Sequence, residues 1–197
     1  MTIHDNLLPI NPYSRPGKKR KGTLALCVHW TGIPHQRIEV VTKYFKNRAS
    51  GRYGYGSAHY GIDLDGAVYQ WIPEDEVAYA VGSSIPDPQS GKVYTDTARS
   101  IFGSYASPSS SPNWVSISVE LTSVDNEGRF SDETYSAAVE LFADLARRYS
   151  LDPMTRILRH YDVVGWKDCP RYFVRNPLLF IAFKEDVAQR VKNTEGV

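Results

Sequence analysis

The sequence predicts an α/β fold in which a single domain holds a mixed central β-sheet flanked by helices. The chain has 197 residues, and one domain usually takes about 100–200 residues. Hydrophobic residues make up 42% of the chain and charged residues 23%, which is typical of globular proteins. Strand-like and helix-like patterns alternate along the sequence, and this alternation favours a sheet covered by helices.

The first two elements are a strand and a helix. Residues 23–30 are apolar and rich in strand-forming side chains, which predicts a buried strand. Residues 36–50 place Ile38, Val41 and Phe45 at positions i, i+3 and i+7. This spacing lines one face of a helix, so we expect an amphipathic helix here.

A hairpin and a long loop follow. Residues 57–64 and 67–72 flank Asp65-Gly66, which predicts a β-hairpin with a type I′ turn, because both central positions of that turn need positive φ. Residues 82–113 are rich in Ser, Pro, Gly, Thr and Asp without a lasting period. We therefore expect a long loop, which in a compact domain often forms a functional rim.

The second half of the chain repeats the alternation of strands and helices. Residues 115–123 alternate as a strand, and Ser131 is placed to cap a helix over 132–149. Residues 156–166 predict a short strand and a loop. Pro177 opens a final helix at the first helical position, where its missing N–H has no consequence.

The N-terminal segment predicts an extended arm. Residues 8–22 are rich in turn formers and contain the basic run 18–21. This run is interpreted either as a solvated charged segment or as a contact to an anionic cell-surface polymer. The arm shows no apolar export segment, and no apolar stretch reaches the roughly 18 residues that cross a bilayer. We expect no signal peptide and no membrane insertion.

The net charge gives no sign of a polyanionic partner. The chain has 23 Lys+Arg and 22 Asp+Glu, which leaves a net charge of +1. A protein that grips nucleic acid by its phosphates usually carries a strong positive field. We therefore expect no nucleic-acid partner.

Two cysteines, Cys27 and Cys169, are too few for a disulfide scaffold. His29 ends the first strand, and His160 precedes Cys169 by nine residues. Zinc prefers imidazole and thiolate ligands, and a catalytic site leaves the fourth position open. His29, His160 and Cys169 are therefore a candidate set of zinc ligands, although each residue alone could simply be a core or surface residue.

Cys27 is the alternative cysteine. It lies two residues before His29 on the same strand face and could ligate with it. Its position within an apolar run favours core packing instead. A Cys27–Cys169 disulfide is disfavoured because the chain shows no export signal.

Several segments carry a resemblance to a known family. In order, they are LALCVHWTG, GYGSAHYGIDLDGAVYQWIPEDEVAYAVG, VSISVEL and RHYDVVGWKDCPRYF. They resemble the zinc-dependent N-acetylmuramoyl-L-alanine amidases of the phage-lysozyme and peptidoglycan-recognition type. The opening NPYSRPGKKRKG is similar to the lead-in of clostridial and phage endolysin members.

The resemblance implies one zinc ion per chain, held by His29, His160 and Cys169, with Glu120 and Lys167 as catalytic residues. Phage lysozymes of the group place a tyrosine before the histidine of the hairpin strand, where this chain has Ala58. The glutamate-dependent variant of the site therefore fits better. The implied organisation is an N-terminal arm over 1–22, an amidase catalytic domain over 23–192 and a C-terminal tail over 193–197.

The catalytic candidates also have simpler interpretations. Glu120 lies mid-strand among apolar and hydroxyl residues, where a carboxylate is costly unless it faces a polar cavity. There it could pass a proton from water to the leaving nitrogen, or it could form a structural ion pair. Lys167 could stabilise the oxyanion, or it could be a surface lysine.

Four neighbours of the proposed site stay outside the catalytic set. His59 is interpreted as an orienting group or as a structural histidine. Trp30, Tyr60 and Trp166 adjoin the proposed site, where aromatic rings could stack on sugars or pack in the core.

The expected function is cleavage of the amide between N-acetylmuramic acid and L-alanine, with peptidoglycan as the partner. The alternatives are a peptidoglycan-binding module without activity and a structural zinc protein, which would need a fourth protein ligand. The protein would be made in the cytoplasm and act on the wall after release, as an endolysin or autolysin, or else serve in recycling. The sequence leaves the oligomeric state open.

Overall fold

The computed structural model describes residues 1–195 and shows one α/β unit. The strands are β1 (Ile3–Asp5), β2 (Ala25–Pro34), β3 (Tyr60–Ile62), β4 (Val68–Gln70), β5 (Ser116–Ser123) and β6 (Ile157–Arg159). The helices are α1 (Ile38–Asn47), α2 (Asp96–Phe102), α3 (Asp132–Arg148), α4 (Pro153–Arg156), α5 (His160–Val164), α6 (Arg171–Arg175) and α7 (Pro177–Glu195). This architecture confirms the predicted fold class.

The six strands described form one mixed sheet in the order β1-β4-β3-β5-β2-β6. Only the β3–β4 pair is antiparallel, and the other neighbours run parallel. Strands β2 and β5 lie in the interior of the sheet, which explains their nearly continuous burial. Their carboxyl ends therefore lie side by side at one edge.

Helices cover both faces of the sheet. One face packs against α3 and α7 through Leu26, Val119, Phe142 and Phe183, all of them buried. The other face packs against α2 and α5 through Cys27, Ala98 and Val163. Because side chains alternate along β2, Cys27 and His29 share this second face.

The hairpin is confirmed, but the type I′ turn is wrong. Strands β3 and β4 pair as predicted, yet Gly66 has φ of 79° while Asp65 is not among the residues with positive φ. The loop is wider, closed by the Asp63 N–H that donates to the Ala67 carbonyl at 2.9 Å. The buried Asp63 carboxylate also pairs with Arg37 at 3.0 Å, which fixes this wider loop.

Two loop predictions are wrong in part. Residues 82–113 contain α2, whose N-cap Thr95 accepts a hydrogen bond from the Ala98 N–H at 3.0 Å. Seven helical residues are too few to show a lasting period. After β6 the chain enters α5 directly, where a loop was predicted.

The N-terminal segment is tied to the body of the protein. Strand β1 adds to the sheet beside β4, and Leu8 is fully buried. The Arg15 guanidinium donates two hydrogen bonds to the Glu76 carboxylate, at 2.8 and 2.9 Å. The arm boundary at residue 22 stays a prediction.

The basic run contacts the body of the protein rather than standing free. Lys19 forms an ion pair with Asp75, and the Lys21 ammonium lies 5.2 Å from the centre of the Trp114 ring. Lys19 and Lys21 thus already interact with side chains of the protein, whereas one interpretation of the basic run was that it contacts an anionic cell-surface polymer.

At the other end, α7 continues to Glu195, so residues 193–195 of the predicted tail belong to this helix. Residues 196–197 lie outside the described residues. No helix in the described range has both the length and the apolarity that a bilayer crossing requires.

Candidate metal centre

The three predicted ligands meet at the carboxyl edge of the sheet. Strands β2 and β6 run parallel with Val28 opposite Arg159, so the next residues, His29 and His160, lie beside each other. Cys169 lies just before α6 and returns to the same edge, where its carbonyl accepts a hydrogen bond from the Tyr161 N–H at 3.0 Å. The strand register brings together residues that are 131 and 140 positions apart.

Two of the three distances between donor atoms are close to those around a tetrahedral metal ion. The Nδ1 atoms of His29 and His160 lie 3.1 Å apart, and Cys169 Sγ lies 3.8 Å from His29 Nδ1. With zinc–nitrogen bonds of about 2.0 Å and zinc–sulfur bonds of about 2.3 Å, tetrahedral angles require separations of about 3.3 and 3.5 Å. All three donor atoms lie within 4.8 Å of one another. Small side-chain adjustments would therefore complete the coordination of zinc.

Burial sets the protonation of the cluster. Burial lowers the pKa of His29 to about 3, and the nearby Lys167 and His59 act in the same direction. Burial, with His29 and Lys167, also holds the pKa of His160 well below its usual range. Both imidazoles are thus neutral, the form that binds metal. Burial raises the pKa of the Cys169 thiol to about 12, so a bound metal must displace its proton.

Glu120 lies next to the cluster on β5, directly opposite His29 in the β2–β5 register. Its Oε2 atom is buried and has no hydrogen-bond partner within residues 1–195. Burial raises the pKa of this carboxyl group to about 8, and the positive charge of Lys167 opposes the shift. A buried carboxyl oxygen without a partner is rare in structural positions. Its place beside the cluster suits a group that exchanges a proton.

Lys167 lies on the loop that carries Cys169, and its carbonyl accepts a hydrogen bond from the Cys169 N–H at 2.7 Å. Its charge acts on His29, His160 and Glu120. All five residues line one open cleft of about 530 Å³. The structure therefore brings the whole predicted set together, while the roles of its members stay predictions.

Cys27 lies apart from the cluster. It is fully buried among the apolar side chains under α2 and α5, and it is not part of the group of potential ligands found in residues 1–195. Both cysteines are free, so the disulfide alternative is not formed.

The neighbouring residues divide into cleft and core. Trp30 and Trp166 line the cleft, whereas Tyr60 packs on the opposite face of the sheet, so the expectation that it adjoins the site is wrong. The His59 Nδ1 accepts from the Ser118 N–H at 3.1 Å and its Nε2 lies 3.0 Å from the Glu76 carbonyl. These two hydrogen bonds support the structural interpretation of His59.

Sequence reasoning missed one wall of the cleft. Tyr44, Arg48, Tyr55 and Tyr79 line it. Residues 82–85 beside them belong to the segment that was expected to form a functional rim. The Arg48 guanidinium lies 4.5 Å from the centre of the Tyr44 ring. Tyr44 lies on α1 and Arg48 directly follows its last residue, so the two keep the i, i+4 spacing of a helix. That spacing, together with the tyrosines of residues 44–55, is the signal from which this wall could have been predicted.

A mixed sheet that carries a His-His-Cys cluster at its carboxyl edge, open to a cleft, defines an α/β protein with a candidate metal centre of three ligands. Residues 20–172 match the model of the family described as N-acetylmuramoyl-L-alanine amidase, Amidase_2. The chain belongs to this family, as the resemblance predicted.

Two relatives show how much of their length is shared. The chain is 31% identical to the N-acetylmuramoyl-L-alanine amidase BlyA of Bacillus subtilis (strain 168), over 97% of this chain and 48% of BlyA. It is 32% identical to the N-acetylmuramoyl-L-alanine amidase CwlL of Bacillus licheniformis, over 95% of this chain and 47% of CwlL. The chain thus spans about half the length of these curated relatives.

Solved structures share the fold. The catalytic domain of XlyA is similar with a TM-score of 0.65 at 19% identity, covering 95% of this chain and 99% of that domain. PlyL gives a TM-score of 0.66 at 21% identity, and the match covers 95% of this chain and 97% of the PlyL chain. The Staphylococcus aureus hydrolase AmiA, in complex with its ligand, gives a TM-score of 0.64 at 15% identity, and the match covers 100% of this chain and 86% of the AmiA chain.

Proposed function

We propose that this chain is a zinc-dependent hydrolase that cleaves the amide bond between N-acetylmuramic acid and L-alanine in peptidoglycan. Membership of the amidase family supports the reaction. One observation carries the zinc dependence and the mechanism. Three buried ligand atoms, an unpartnered carboxyl oxygen and an ammonium group converge on the same cleft.

His29, His160 and Cys169 would hold the zinc ion and leave one coordination position facing the cleft. Zinc in such a site lowers the pKa of a water molecule toward about 7 and polarises the scissile carbonyl. Both imidazoles are neutral because they are buried, so only the Cys169 thiol has to lose a proton when the metal binds.

Glu120 moves the proton. Its unpartnered Oε2 accepts a proton from the attacking water and returns it to the leaving nitrogen. Burial raises its pKa to about 8, which makes the carboxylate a stronger base than an exposed glutamate. The charge of Lys167 opposes this shift and keeps the ionised form accessible near neutral pH.

Lys167 stabilises the negative charge that develops on the carbonyl oxygen. An ammonium group aimed at that oxygen acts mainly in the transition state, where the charge is largest. Lys167 lies on the same loop as Cys169, and the hydrogen bond between their backbone groups fixes its position relative to the proposed ligands. One loop conformation would therefore position both a metal ligand and a cation.

A structural zinc site would need a fourth protein ligand. The rival, Cys27, is buried in the core under α2 and α5, and the group of candidate ligands in residues 1–195 holds three residues. A peptidoglycan-binding module without activity would have no use for the unpartnered Glu120 oxygen. The open cleft beside this group favours catalysis.

The proposed setting is the bacterial cell wall, where the chain acts as an endolysin or an autolysin. The names of the relatives are compatible with this setting, and recycling of wall fragments inside the cell is the alternative. Peptidoglycan is the proposed partner.

The test measures zinc content and hydrolysis of a soluble muramoyl-peptide in parallel. We expect about one zinc per chain, activity that a chelator abolishes and zinc restores, and loss of both in Cys169→Ser. Cys27→Ala is the matched control and should keep both. Full zinc occupancy in Cys169→Ser after dialysis would contradict the ligand set, and activity that survives chelation would contradict zinc dependence.

A further inference from the structure

The cleft continues into a second hollow of about 360 Å³ that is not lined by the metal-binding cluster. The two cavities share Tyr55, Tyr79 and residues 82–84. The hollow adds Tyr94, which lies just before α2, and residues that precede β5, which are Ser110, Ser111 and Asn113. An extended ligand in the cleft can therefore run on into this hollow.

The chemistry of the two cavities differs. The main cleft carries the charged side chains Arg48, Glu120, Lys167 and Asp168. The nine residues that line the hollow include no Asp, Glu, Lys or Arg, and they offer tyrosine rings, serine hydroxyls and one amide. Tyr55 is 66% exposed and meets Tyr79 edge-on, with ring centres 5.1 Å apart.

Three backbone hydrogen bonds hold the Asn113 side chain in place at the hollow. The Asn113 side-chain oxygen accepts hydrogen bonds from the N–H groups of Ala80, Val81 and Gly82, at 3.1, 2.9 and 3.2 Å. All the hydrogen bonds of this side chain within residues 1–195 use its oxygen, so its NH₂ group is free to donate. A side chain on Gly82 would meet this amide, since a Cβ would lie 2.7 Å from Asn113 Nδ2.

Tyrosine faces, hydroxyls and an amide donor suit an uncharged sugar, which offers C–H faces and hydroxyl and acetamido groups. The proposed substrate has two parts of different charge, because its glycan is neutral while its stem peptide carries carboxylates. We propose that this tyrosine–serine hollow binds the neutral N-acetylated glycan and leaves the charged side of the cleft to the peptide. This inference rests on the proposed function and adds the direction in which the substrate lies.

The test uses an uncharged probe, the trisaccharide triacetylchitotriose, which has no peptide and no scissile amide. Its binding is followed by NMR titration of the metal-loaded protein and of variants checked for folding by circular dichroism. Ser110→Trp fills the hollow without touching the main cleft, and we expect loss of measurable binding. Ser109→Trp is the matched control, because Ser109 is an exposed neighbour outside the lining.

A second pair of variants guards against misfolding. Tyr55→Ala should weaken binding about threefold to tenfold, the range expected for one aromatic stacking contact. Tyr53→Ala, another exposed tyrosine of the same loop outside the lining, should bind as wild type does.

The outcomes separate this inference from the proposed function. If the protein binds the trisaccharide and Ser110→Trp abolishes that binding, the glycan site is supported. Failure of the protein to hydrolyse muramoyl-peptides would overturn the proposed reaction but not the glycan site. The glycan site is overturned if the trisaccharide does not bind, if Ser110→Trp binds it normally, or if Ser110→Trp instead weakens binding of an isolated stem peptide.

Discussion

At the scale of single residues, the central feature is that Glu120 has one buried oxygen without a hydrogen-bond partner beside three neutral candidate ligands. The buried Asp63 carboxylate also has an oxygen without a hydrogen bond, but that oxygen lies 3.0 Å from the Arg37 guanidinium and forms an ion pair with it. Asp168 likewise pairs with Arg171, whereas Glu120 forms none of the ion pairs found in residues 1–195, and this absence separates its unpartnered Oε2 from the oxygens of those two acids.

Glu120→Gln keeps the shape of the side chain and removes its basicity. We expect turnover to fall by about 10²–10⁴-fold, the usual contribution of general acid–base catalysis, while zinc stays bound. Steady-state hydrolysis of a muramoyl-peptide and metal analysis check this. Activity within about threefold of wild type would reject the proton shuttle, and loss of zinc would make Glu120 a support of the ligands.

Lys167→Ala removes an interaction that is made mainly in the transition state. We expect kcat to fall by about 10²–10³-fold with KM little changed, and Lys167→Arg to restore part of kcat because a planar guanidinium replaces a compact ammonium. The same kinetic assay measures both, with zinc content as the control. A normal kcat with a raised KM would instead make Lys167 an anchor for a substrate carboxylate.

The clustering of His29, His160 and Cys169 could be predicted from the sequence because histidine and cysteine are few in this chain and the family resemblance singled out these three. That they bind zinc stays a prediction. The wall formed by Tyr44, Arg48 and neighbouring tyrosines was harder to predict, because their spacing indicates a cluster but a tyrosine in the core and one in a cleft look alike in sequence. Tyr60 shows the converse error, since only the alternation along β3 decides which face it occupies.

At the scale of elements, the start of a helix could be predicted from the sequence where a single capping residue fixes the backbone. Ser131 caps α3 by accepting the Thr134 N–H at 3.0 Å, as predicted, and its hydroxyl also donates to the Leu64 carbonyl at 2.7 Å. The short helices α2 and α5 escaped prediction because tertiary packing, rather than periodicity, stabilises them.

Ser131→Ala should lower the free energy of unfolding by about 1–2 kcal/mol, because it removes an N-cap and leaves the Leu64 carbonyl without its donor. Urea denaturation followed by circular dichroism measures the change. Ser136→Ala, at an exposed position on the same helix, is the control and should change stability by less than about 0.5 kcal/mol. Equal effects in both variants would contradict the capping role.

At the scale of the whole molecule, Glu74 joins distant parts of the chain. Its carboxylate accepts hydrogen bonds from the Arg148 guanidinium at 2.7 Å and from the Tyr149 hydroxyl at 2.6 Å, and it also contacts the Tyr60 hydroxyl. Burial opposes its ionisation, but the hydrogen bonds from Arg148, Tyr149 and Tyr60 outweigh burial and lower the pKa of Glu74 to about 2.

This lowered pKa of Glu74 predicts that the free energy of unfolding decreases as the pH falls through the acid range. The ordinary pKa of the group is 4.5, so ionised Glu74 stabilises the folded state fully above that pH. The contribution is lost as pH falls toward about 2. Glu74→Gln should therefore unfold more easily at pH 7 and show a shallower loss of stability through this acid range. Thermal unfolding of both proteins at several pH values in this range measures the difference. If the melting temperatures of wild type and Glu74→Gln fall equally steeply with pH, the account is contradicted.

The measurement that tests the central claim most directly is mass spectrometry of purified muropeptides after incubation with the protein, with and without a chelator. The account predicts that one water is added across the lactyl–alanine amide. The products are then a peptide with a free L-alanine amino group and a sugar with a free lactyl carboxyl group, and none form with chelator. Cleavage of a glycosidic bond or of a bond within the peptide, or the same products in the presence of chelator, would contradict it.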